Sequence, residues 1–227
     1  MSLKKQKIIN AFMNLLVKSG NQQLEKILKK FNQHNVVITD EITEKNISNT
    51  DCLIMLSSLN RCSDPEELNL KIQDIYNTLS LCVEQDIKKV IMVSSLEVFD
   101  YDANYTVTER WKVKPKKDFL NLSINLSELV FKEFGRTFPF QKILLRVGFP
   151  IDNMAENINK FSCFTKEDDF VNSISRILKI NFKNQFEIFH LQSESDSQRY
   201  LTNKLNELES LSSSISDHFY HPRGKKL

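Results

Sequence analysis

Two hydrophobic patterns alternate along this chain. Short, unbroken apolar runs are typical of strands buried on both faces of a sheet, and apolar residues recurring every three or four positions are typical of amphipathic helices. The clearest run is 90–93, which is mostly β-branched and is followed at once by Ser94 and Ser95. The strands predicted in this way are 6–12, 35–40, 51–58, 88–94, 140–147 and 186–191, and the helices are 24–31, 65–83, 118–134, 167–180 and 197–211.

Strands that alternate with helices predict an α/β fold. We expect a Rossmann-like, mainly parallel sheet with helices on both faces, in which ligands bind at the carboxyl ends of the central strands. In this interpretation residues 1–209 form the domain. Residues 210–227 form a tail that is rich in serine and then basic and aromatic, and we expect it to contact protein partners or to fray.

The charge balance argues against two classes of partner. Lysine and arginine number 31 against 29 acidic residues, and a formal net charge of +2 creates no field that would attract nucleic acid or a membrane surface. No apolar run approaches the ~18 residues that cross a bilayer. We therefore expect a soluble protein with no nucleic-acid partner and no membrane span.

The cysteine pattern indicates a reducing, intracellular compartment. The four cysteines are scattered without a C-x-x-C pair, which is typical of reduced, structural thiols. His218 and His221 have no cysteine or carboxylate ligand near them, so we expect no metal site. The first 24 residues carry four lysines and no acid, a weak likeness to a mitochondrial presequence. We favour a cytoplasmic location, including a cytoskeletal or ciliary assembly, with mitochondria as the alternative.

Several segments, in this order and spacing, resemble the extended short-chain dehydrogenase/reductase family, the NAD-dependent epimerase/dehydratase group. Residues 51–58 resemble its strand that ends in Ala-Ala, and 88–99 resemble its strand that ends in Ser-Ser before Val-Tyr-Gly. The resemblance covers most of residues 6–205 and implies a Rossmann-like domain, here with a truncated C-terminal substrate lobe. Further matches are Asn77, Glu109, Pro115, the Leu-Arg-Val-Gly segment at 145–148, and Asp168 or Asp169.

The departures from the family fall on its chemistry. Its catalytic pair is Tyr-x-x-x-Lys, in which the lysine lowers the pKa of the tyrosine. Matched through Ser123 and Glu128, those two positions are Leu120 and Ile124, and neither side chain carries a proton. Ser95 matches the third catalytic position. We therefore predict that no catalytic residue remains and that the protein is not an enzyme.

The cofactor positions named by the resemblance are Gly20, Asp40, Ser57 and Ser95. The family's Gly-x-x-Gly-x-x-Gly loop lets backbone amides approach a pyrophosphate, and we match it to residues 12–20, where Gly20 alone remains. Asp40 stands where a carboxylate would hold a ribose hydroxyl. The segment from Asp40 to Asp51 is short, so part of the adenine pocket should be missing. We expect no bound cofactor, and NAD or NADP if there is one.

Other interpretations of these residues stay open. Asp40 could cap a turn instead of binding ribose, and Ser94 and Ser95 could simply be small residues at a strand end. Arg146, also at a strand end, could meet an anion, although pairing with a carboxylate is the commoner outcome.

Two main functions follow from these observations. The first is a non-catalytic, epimerase/dehydratase-like protein that serves as a structural or scaffolding subunit of a larger assembly. The alternative is an NAD(P)-dependent oxidoreductase or sugar-nucleotide epimerase with atypical catalytic residues, for which Tyr101 and Tyr105 are candidates. A nucleotide-sensing regulator that binds without chemistry is a third possibility.

Overall fold

A computed structural model describes residues 12–18, 20–57, 62, 64–100, 105–152, 163–194 and 199–208. Its six strands form one sheet in the order β2-β1-β3-β4-β5-β6, and every neighbouring pair is parallel. The predicted α/β fold is confirmed. The strands are β1 (Asn14–Lys18), β2 (Asn35–Thr39), β3 (Cys52–Leu56), β4 (Lys89–Ser95), β5 (Gln141–Val147) and β6 (Phe186–Leu191).

Polar caps set where most of the helices begin. The side chains of Asn21, Thr43, Asp64 and Asp118 each accept a hydrogen bond from a backbone N–H in the first turn of the helix that follows. A 3-10 turn follows β4, and residues 203–208 are helical. The helices are α1 (Gln22–Leu28), α2 (Glu44–Ile47), α3 (Pro65–Glu84), α4 (Phe119–Thr137) and α5 (Glu167–Lys179).

Two apolar clusters cover the two faces of the sheet. Every residue of β4 is buried, and successive residues point to opposite faces. Ile91 and Val93 pack with α1, α5 and the 203–208 helix, whereas Val90 and Met92 pack with α3 and α4. The predicted central strand is therefore the centre of a three-layer α/β/α sandwich.

Two lysines are buried at the amino edge of the sheet, by which we mean the end at which its parallel strands begin; the carboxyl edge is the end at which they finish. Lys89 Nζ donates to the carbonyls of Ile177, Leu178 and Ile180 at distances of 2.9, 3.0 and 2.7 Å. Lys142 Nζ donates to the carbonyls of Phe134, at 3.3 Å, and Phe138. Each ammonium thus donates to carbonyls at the carboxyl end of a helix, α5 or α4, where the helix dipole favours a cation. The Phe134 carbonyl also accepts from the Phe138 N–H at 3.1 Å.

The first strand of the sheet lies later in the sequence than the predicted 6–12. Residues 14–18 form β1, whereas Phe12 lies outside it and is 71% exposed. Leu15, Leu16 and Val17 are buried because β1 lies between β2 and β3 and needs apolar residues on both faces. Residues 1–11 lie outside the described part of the chain.

The segment between β2 and β3 is as short as predicted. It holds the single turn α2, which we had taken as loop, closed by a reciprocal capping box between Thr43 and Asn46. The widespread doubly wound order places a further strand beyond β2. Here β2 is the edge of the sheet among the described residues, so one side of the adenine pocket is not built.

Other boundaries differ from the predictions by a few residues. The last helix was expected over 197–211, and the described residues are helical from 203 to 208. The tail 210–227 lies outside the described residues, so the division into a domain and a tail stays a prediction.

Candidate functional site

The loop between β1 and α1 lies where a dinucleotide-binding fold holds a pyrophosphate. β1 ends at Lys18 and α1 begins at Gln22, so residues 19–21 make the turn. Counted from the end of β1, the Gly-x-x-Gly-x-x-Gly spacing falls on Ser19, Gln22 and Glu25. The earlier match of this motif to residues 12–20 is therefore wrong, because most of that stretch is the strand itself.

Gly20 occupies a position where the backbone does not require a glycine. Its φ is not positive, and an added Cβ would lie 3.7 Å from Leu56 Cδ1, which is an ordinary contact. The Gly20 N–H donates to Glu25 Oε1 at 3.3 Å. A carboxylate of the chain itself therefore holds a loop amide that a phosphate would need, and its negative charge opposes a second anion there.

A second contact crosses the same region. The Gln23 side-chain amide, from the first turn of α1, donates to the carbonyl of Ile151, in the segment after β5. Lys18 Nζ contacts Asp74 Oδ1 at 2.5 Å and Thr78 Oγ1 at 2.7 Å, both on α3. The cation nearest the loop is thus already paired.

Asp40 and Ser57 follow β2 and β3, which lie on opposite sides of β1 in the sheet. Asp40 is exposed just after β2. Ser57 follows β3, is 1% exposed, and its Oγ has no hydrogen-bond partner among the described residues. Both predicted cofactor residues therefore lie at the carboxyl edge of the sheet, and their role in binding stays a prediction.

The two serines that end β4 both make contacts within the fold. Ser94 Oγ donates to Glu128 Oε1 at 2.6 Å. Ser95 Oγ accepts from the Glu97 N–H at 3.1 Å and caps the 3-10 turn, so the predicted site residue Ser95 stabilises a turn. This arrangement agrees with the interpretation of both serines as small strand-end residues.

Apolar packing fills the positions of the family's catalytic pair. Ile124 is 1% exposed, and Leu120 packs beside it on the first turns of α4. Together with their neighbours they form a cluster that we call the plug. Its members are Leu96, Val98, Phe99, Val107, Ile124 and Tyr200, with Trp111, Val113, Leu120 and Cys163 packed against them.

Two segments of the chain lock the plug in place. The Val107 N–H donates to the Arg199 carbonyl, and the Leu201 N–H donates to the Val107 carbonyl, both at 2.9 Å. This ladder ties residues 105–118 to 199–202 over the beginning of α4. Side-chain burial inside the plug excludes water from the place where an acid–base pair would work.

Tyr200 is a member of the plug, in the same cluster as Leu120 and Ile124, and the sequence analysis missed it. It is 5% exposed, and burial, with Cys163 and Glu97 nearby, raises its pKa to about 12. No lysine lowers that pKa, so Tyr200 is protonated at neutral pH. Of the two candidates named from the sequence, Tyr105 is 56% exposed, and Tyr101 lies outside the described residues.

Glu128 and Arg146 form a buried ion pair. Arg146 Nη2 donates to Glu128 Oε2 at 2.6 Å, and Arg146 Nε donates to Oε1 at 3.0 Å. The two side chains are 4–5% exposed. Arg146 therefore pairs with a carboxylate, which is the commoner of the two outcomes expected from the sequence.

The described residues offer no candidate metal site, and burial raises the pKa of three of their cysteines. Among the described residues no group of three histidine, cysteine or acidic side chains could hold a metal ion, and His218 and His221 lie outside them. Burial raises the pKa of the Cys52, Cys82 and Cys163 thiols to about 12.

None of the helices searched in the described part of the chain is long and apolar enough to span a bilayer.

Comparisons with known proteins bear on the fold. No protein-family model matches the sequence, and no match was found among curated proteins. Solved structures do match. Uronate dehydrogenase from Agrobacterium tumefaciens superposes with a TM-score of 0.69 at 15% identity, covering 95% of this chain and 92% of that one.

Two further structures give the same result. Glucuronic acid dehydrogenase from Chromohalobacter salexigens has a TM-score of 0.66 at 14% identity, covering 95% of this chain and 93% of that one. UDP-N-acetylglucosamine 4-epimerase from Bacillus cereus has a TM-score of 0.64 at 15% identity, covering 91% and 82%. The chain has the fold of the extended short-chain dehydrogenase/reductase proteins. The smaller share of the epimerase that is covered agrees with a reduced C-terminal lobe.

Proposed function

We propose that this protein is a non-catalytic relative of the epimerase/dehydratase enzymes and acts as a structural or scaffolding subunit of a larger assembly. The plug is the observation that carries the proposal. Leu120 and Ile124 replace the acid–base pair with side chains that pack, and the ladder through Val107 holds them there. A tyrosine and a lysine at these two places would put polar groups into the plug.

The cofactor loop supports the same conclusion. Glu25 holds the Gly20 amide, and Gln22 stands at a second glycine position. Side chains at these positions crowd the approach of a pyrophosphate, and the Glu25 carboxylate repels it. The protein therefore binds dinucleotides weakly or not at all.

A contact surface supports a role in an assembly. Most of the large hydrophobic side chains that the described residues expose lie on α3 and α4: Leu70, Tyr76, Phe119, Leu122 and Leu129. Exposed apolar groups concentrated on one helix pair are typical of protein–protein contacts. The tail 210–227, our other candidate for partner contacts, lies outside the described residues.

Ligand-induced stabilisation tests the loss of binding. The purified protein is heated with and without NAD, NADH, NADP or NADPH, and the midpoint of unfolding is recorded. A dinucleotide at 100 times its dissociation constant would add ~2.7 kcal/mol to the free energy of unfolding. We expect no shift. A clear upward shift with any of the four would contradict the strictly structural proposal.

Partner recovery tests the assembly role. Leu122→Asp and Leu129→Asp, on the exposed face of α4, should reduce co-purification of partners from the native source. Val37→Asp, an exposed apolar residue on the edge strand β2, is the matched control and should leave it unchanged. If all three variants recover the same proteins in the same amounts, α4 is not the contact surface.

A nucleotide-sensing regulator is the second candidate, and one observation favours it. Ser57 Oγ is buried without a described partner at the end of β3, and Asp40 is exposed at the end of β2. A ribose or adenine could use both. A thermal shift that Ser57→Ala abolishes would support this candidate over the structural one.

A further inference from the structure

The two outermost strands of the sheet, β2 and β6, each have one side that no described strand covers. On β6 that side is blocked. The Ile188 carbonyl, which faces away from β5, accepts from Lys204 Nζ at 2.8 Å, and the same ammonium contacts Glu187 Oε2 at 2.5 Å. A lysine placed in this way prevents another strand from pairing. β2 contains no charged residue and no proline, so it is the strand of the two that is open to a neighbour.

The backbone of β2 presents a regular set of groups on its uncovered side. The Asn35 N–H donates to the Met13 carbonyl at 3.0 Å. Every second residue of a parallel strand bonds to the same neighbour, so Asn35, Val37 and Thr39 face β1. The N–H and C=O groups of Val36 and Ile38 therefore point outwards, where no described strand lies. These four groups form a template for a further strand.

An apolar side chain is exposed at the centre of this strand. Val37 is 46% exposed, whereas Val36 and Ile38 point to the other face of the sheet and pack against the core that includes α1. An edge strand that is uncharged, apolar and unpaired is a surface to which another strand adds. A strand added here would also cover Val37.

The charges at the two ends of β2 indicate which strand fits. Lys29 and Lys30, both exposed, precede β2, and Lys30 also contacts Glu167. Asp40 and Glu41, both exposed, follow it. An antiparallel pair of β2 strands places the basic end of each beside the acidic end of the other, whereas a parallel pair places like charges together. A two-fold axis between identical chains produces the antiparallel arrangement.

We propose that two copies of this chain associate through β2, as antiparallel strands centred on Val37. In that register Val36 of each copy lies opposite Ile38 of the other, and these pairs exchange all the outward N–H and C=O groups. The two Val37 residues form the non-hydrogen-bonded pair on the axis and cover each other. His34, whose Nδ1 is buried without a described partner, comes opposite the Asp40 carboxylate of the second copy, which can accept a hydrogen bond.

The dimer joins two six-stranded sheets into one continuous sheet. Its contact is small, because each copy contributes one five-residue strand, so we expect a weak dimer that forms as the concentration rises. The inference goes beyond the proposed function, because it leaves the exposed face of α4 free for other proteins.

Disulfide trapping tests the register. In Val37→Cys the two new thiols lie on the axis, with Cα atoms about 4.5 Å apart, which is within the range that a disulfide bridges. Mild oxidation should therefore give a covalent dimer. Asn35→Cys, exposed on the same strand, is the matched control. Its two copies lie about 14 Å apart and should not cross-link, whereas a mixture of Asn35→Cys and Thr39→Cys should.

Sedimentation velocity tests the association itself. The dimer fraction of the unsubstituted protein should rise with concentration. Val37→Asp places two carboxylates opposite each other and should remain monomeric at the same concentrations. Leu129→Asp, on α4, should dimerise as the unsubstituted protein does. Recovery of other proteins should respond in the opposite way, with a loss for Leu129→Asp and none for Val37→Asp, so this inference and the proposed function fail separately.

Several results would overturn the inference. A full-length protein that is monomeric at every concentration is one, and a dimer that survives Val37→Asp is another. Cross-linking of Asn35→Cys as readily as Val37→Cys would show that exposed thiols react without a register. Hydrogen exchange identifies a different occupant: Val36 and Ile38 amides protected in a monomer would mean that another segment, such as residues 1–11, covers β2.

Discussion

The amino and carboxyl edges of the sheet both bury charged side chains, but these side chains find their hydrogen-bond partners in different ways. At the amino edge, Lys89 and Lys142 donate to carbonyls at the ends of α5 and α4, so backbone provides every partner. At the carboxyl edge, the Glu128–Arg146 pair is satisfied on one side, and His190 beside it has no described partner.

This difference follows from where the fold leaves backbone groups unpaired. Helix ends leave carbonyls unpaired, so the amino-edge lysines find their partners in the backbone. The carboxyl edge is where the fold places ligands, and polar groups there need partners from outside the secondary structure. In this chain the plug lies at that edge, and Glu25 accepts from the Gly20 N–H in the loop after β1.

Breaking the carboxyl-edge ion pair should have the largest effect. Arg146→Met leaves Glu128 buried without its counter-charge and should cost about 3–5 kcal/mol of unfolding free energy. Chemical denaturation measures this loss. The double variant Arg146→Met/Glu128→Leu removes both charges and should recover most of it. A single variant within about 1 kcal/mol of the unsubstituted protein would show that the pair contributes little.

Breaking an amino-edge contact should cost less. Lys142→Met removes the described donor to the Phe138 carbonyl and one of the two donors to the Phe134 carbonyl, a loss of about 1–3 kcal/mol. Lys132→Met, on the exposed side of the same helix, is the control and should change stability little. An equal loss in both variants would mean that the buried contact is not the cause.

The pH dependence of Lys142→Met sharpens the comparison at the amino edge. Burial lowers the pKa of Lys142 to about 8, below its ordinary 10.5. Between these values the unfolded chain holds more protons than the folded one, so the folded protein gains stability as pH rises. The stability gap between the unsubstituted protein and Lys142→Met should therefore widen from pH 7.5 to pH 10, as measured by denaturation at each pH.

The carboxyl edge should respond at the acidic end. Burial, with Arg146 and Lys204 nearby, lowers the pKa of His190 to about 3, from 6.5. The unfolded chain then binds more protons between pH 6.5 and 3, so His190 makes the fold lose stability as pH falls through that range. His190→Gln cannot titrate, and its stability should fall less between pH 7 and 4.5. Parallel pH profiles for the two proteins would contradict a buried, neutral His190.

The smallest effect should come from Gly20. Gly20→Ala places its Cβ 3.7 Å from Leu56 Cδ1 and meets no φ constraint, so stability should change by less than about 0.5 kcal/mol. Gly148→Ala is the contrast, because its Cβ would lie 2.5 Å from Cys163 Sγ. A large loss at Gly20 would mean that the loop still needs a glycine.

Much of the fold was predictable from the sequence, because buried parallel strands require uniform apolar runs. Two helices, α3 and α4, are also preceded by the capping residues Asp64 and Asp118. The first strand was missed because two short apolar runs, 8–9 and 15–17, compete, and only pairing with β2 and β3 decides between them. Because the first strand was placed too early in the sequence, the cofactor loop was placed too early as well, and Glu25 was not recognised as part of it. Leu120 and Ile124, the positions matched to the family's catalytic pair, could be identified from the sequence alone.

The rest of the site could not be predicted because it depends on tertiary register. Ser94, Arg146 and His190 are far apart in sequence and become a row only when β4, β5 and β6 align. Tyr200 joins the plug only through the ladder to Val107. Neither the alignment of these three strands nor the ladder to Val107 produces a periodic pattern in the sequence.

The connection of β1 to the rest of the sheet has a consequence for motion. Leu15, Leu16 and Val17 are the residues that pair β1 with β3, whereas β4 and β5 pair along their full seven-residue length. We therefore expect the β1–α1–β2 unit to open at a lower free energy than β3–β6, as a cooperative unit of its own. Native-state hydrogen exchange should show its amides exchanging together and before those of β4. The loop between β1 and α1 would then leave the folded ensemble together with this unit.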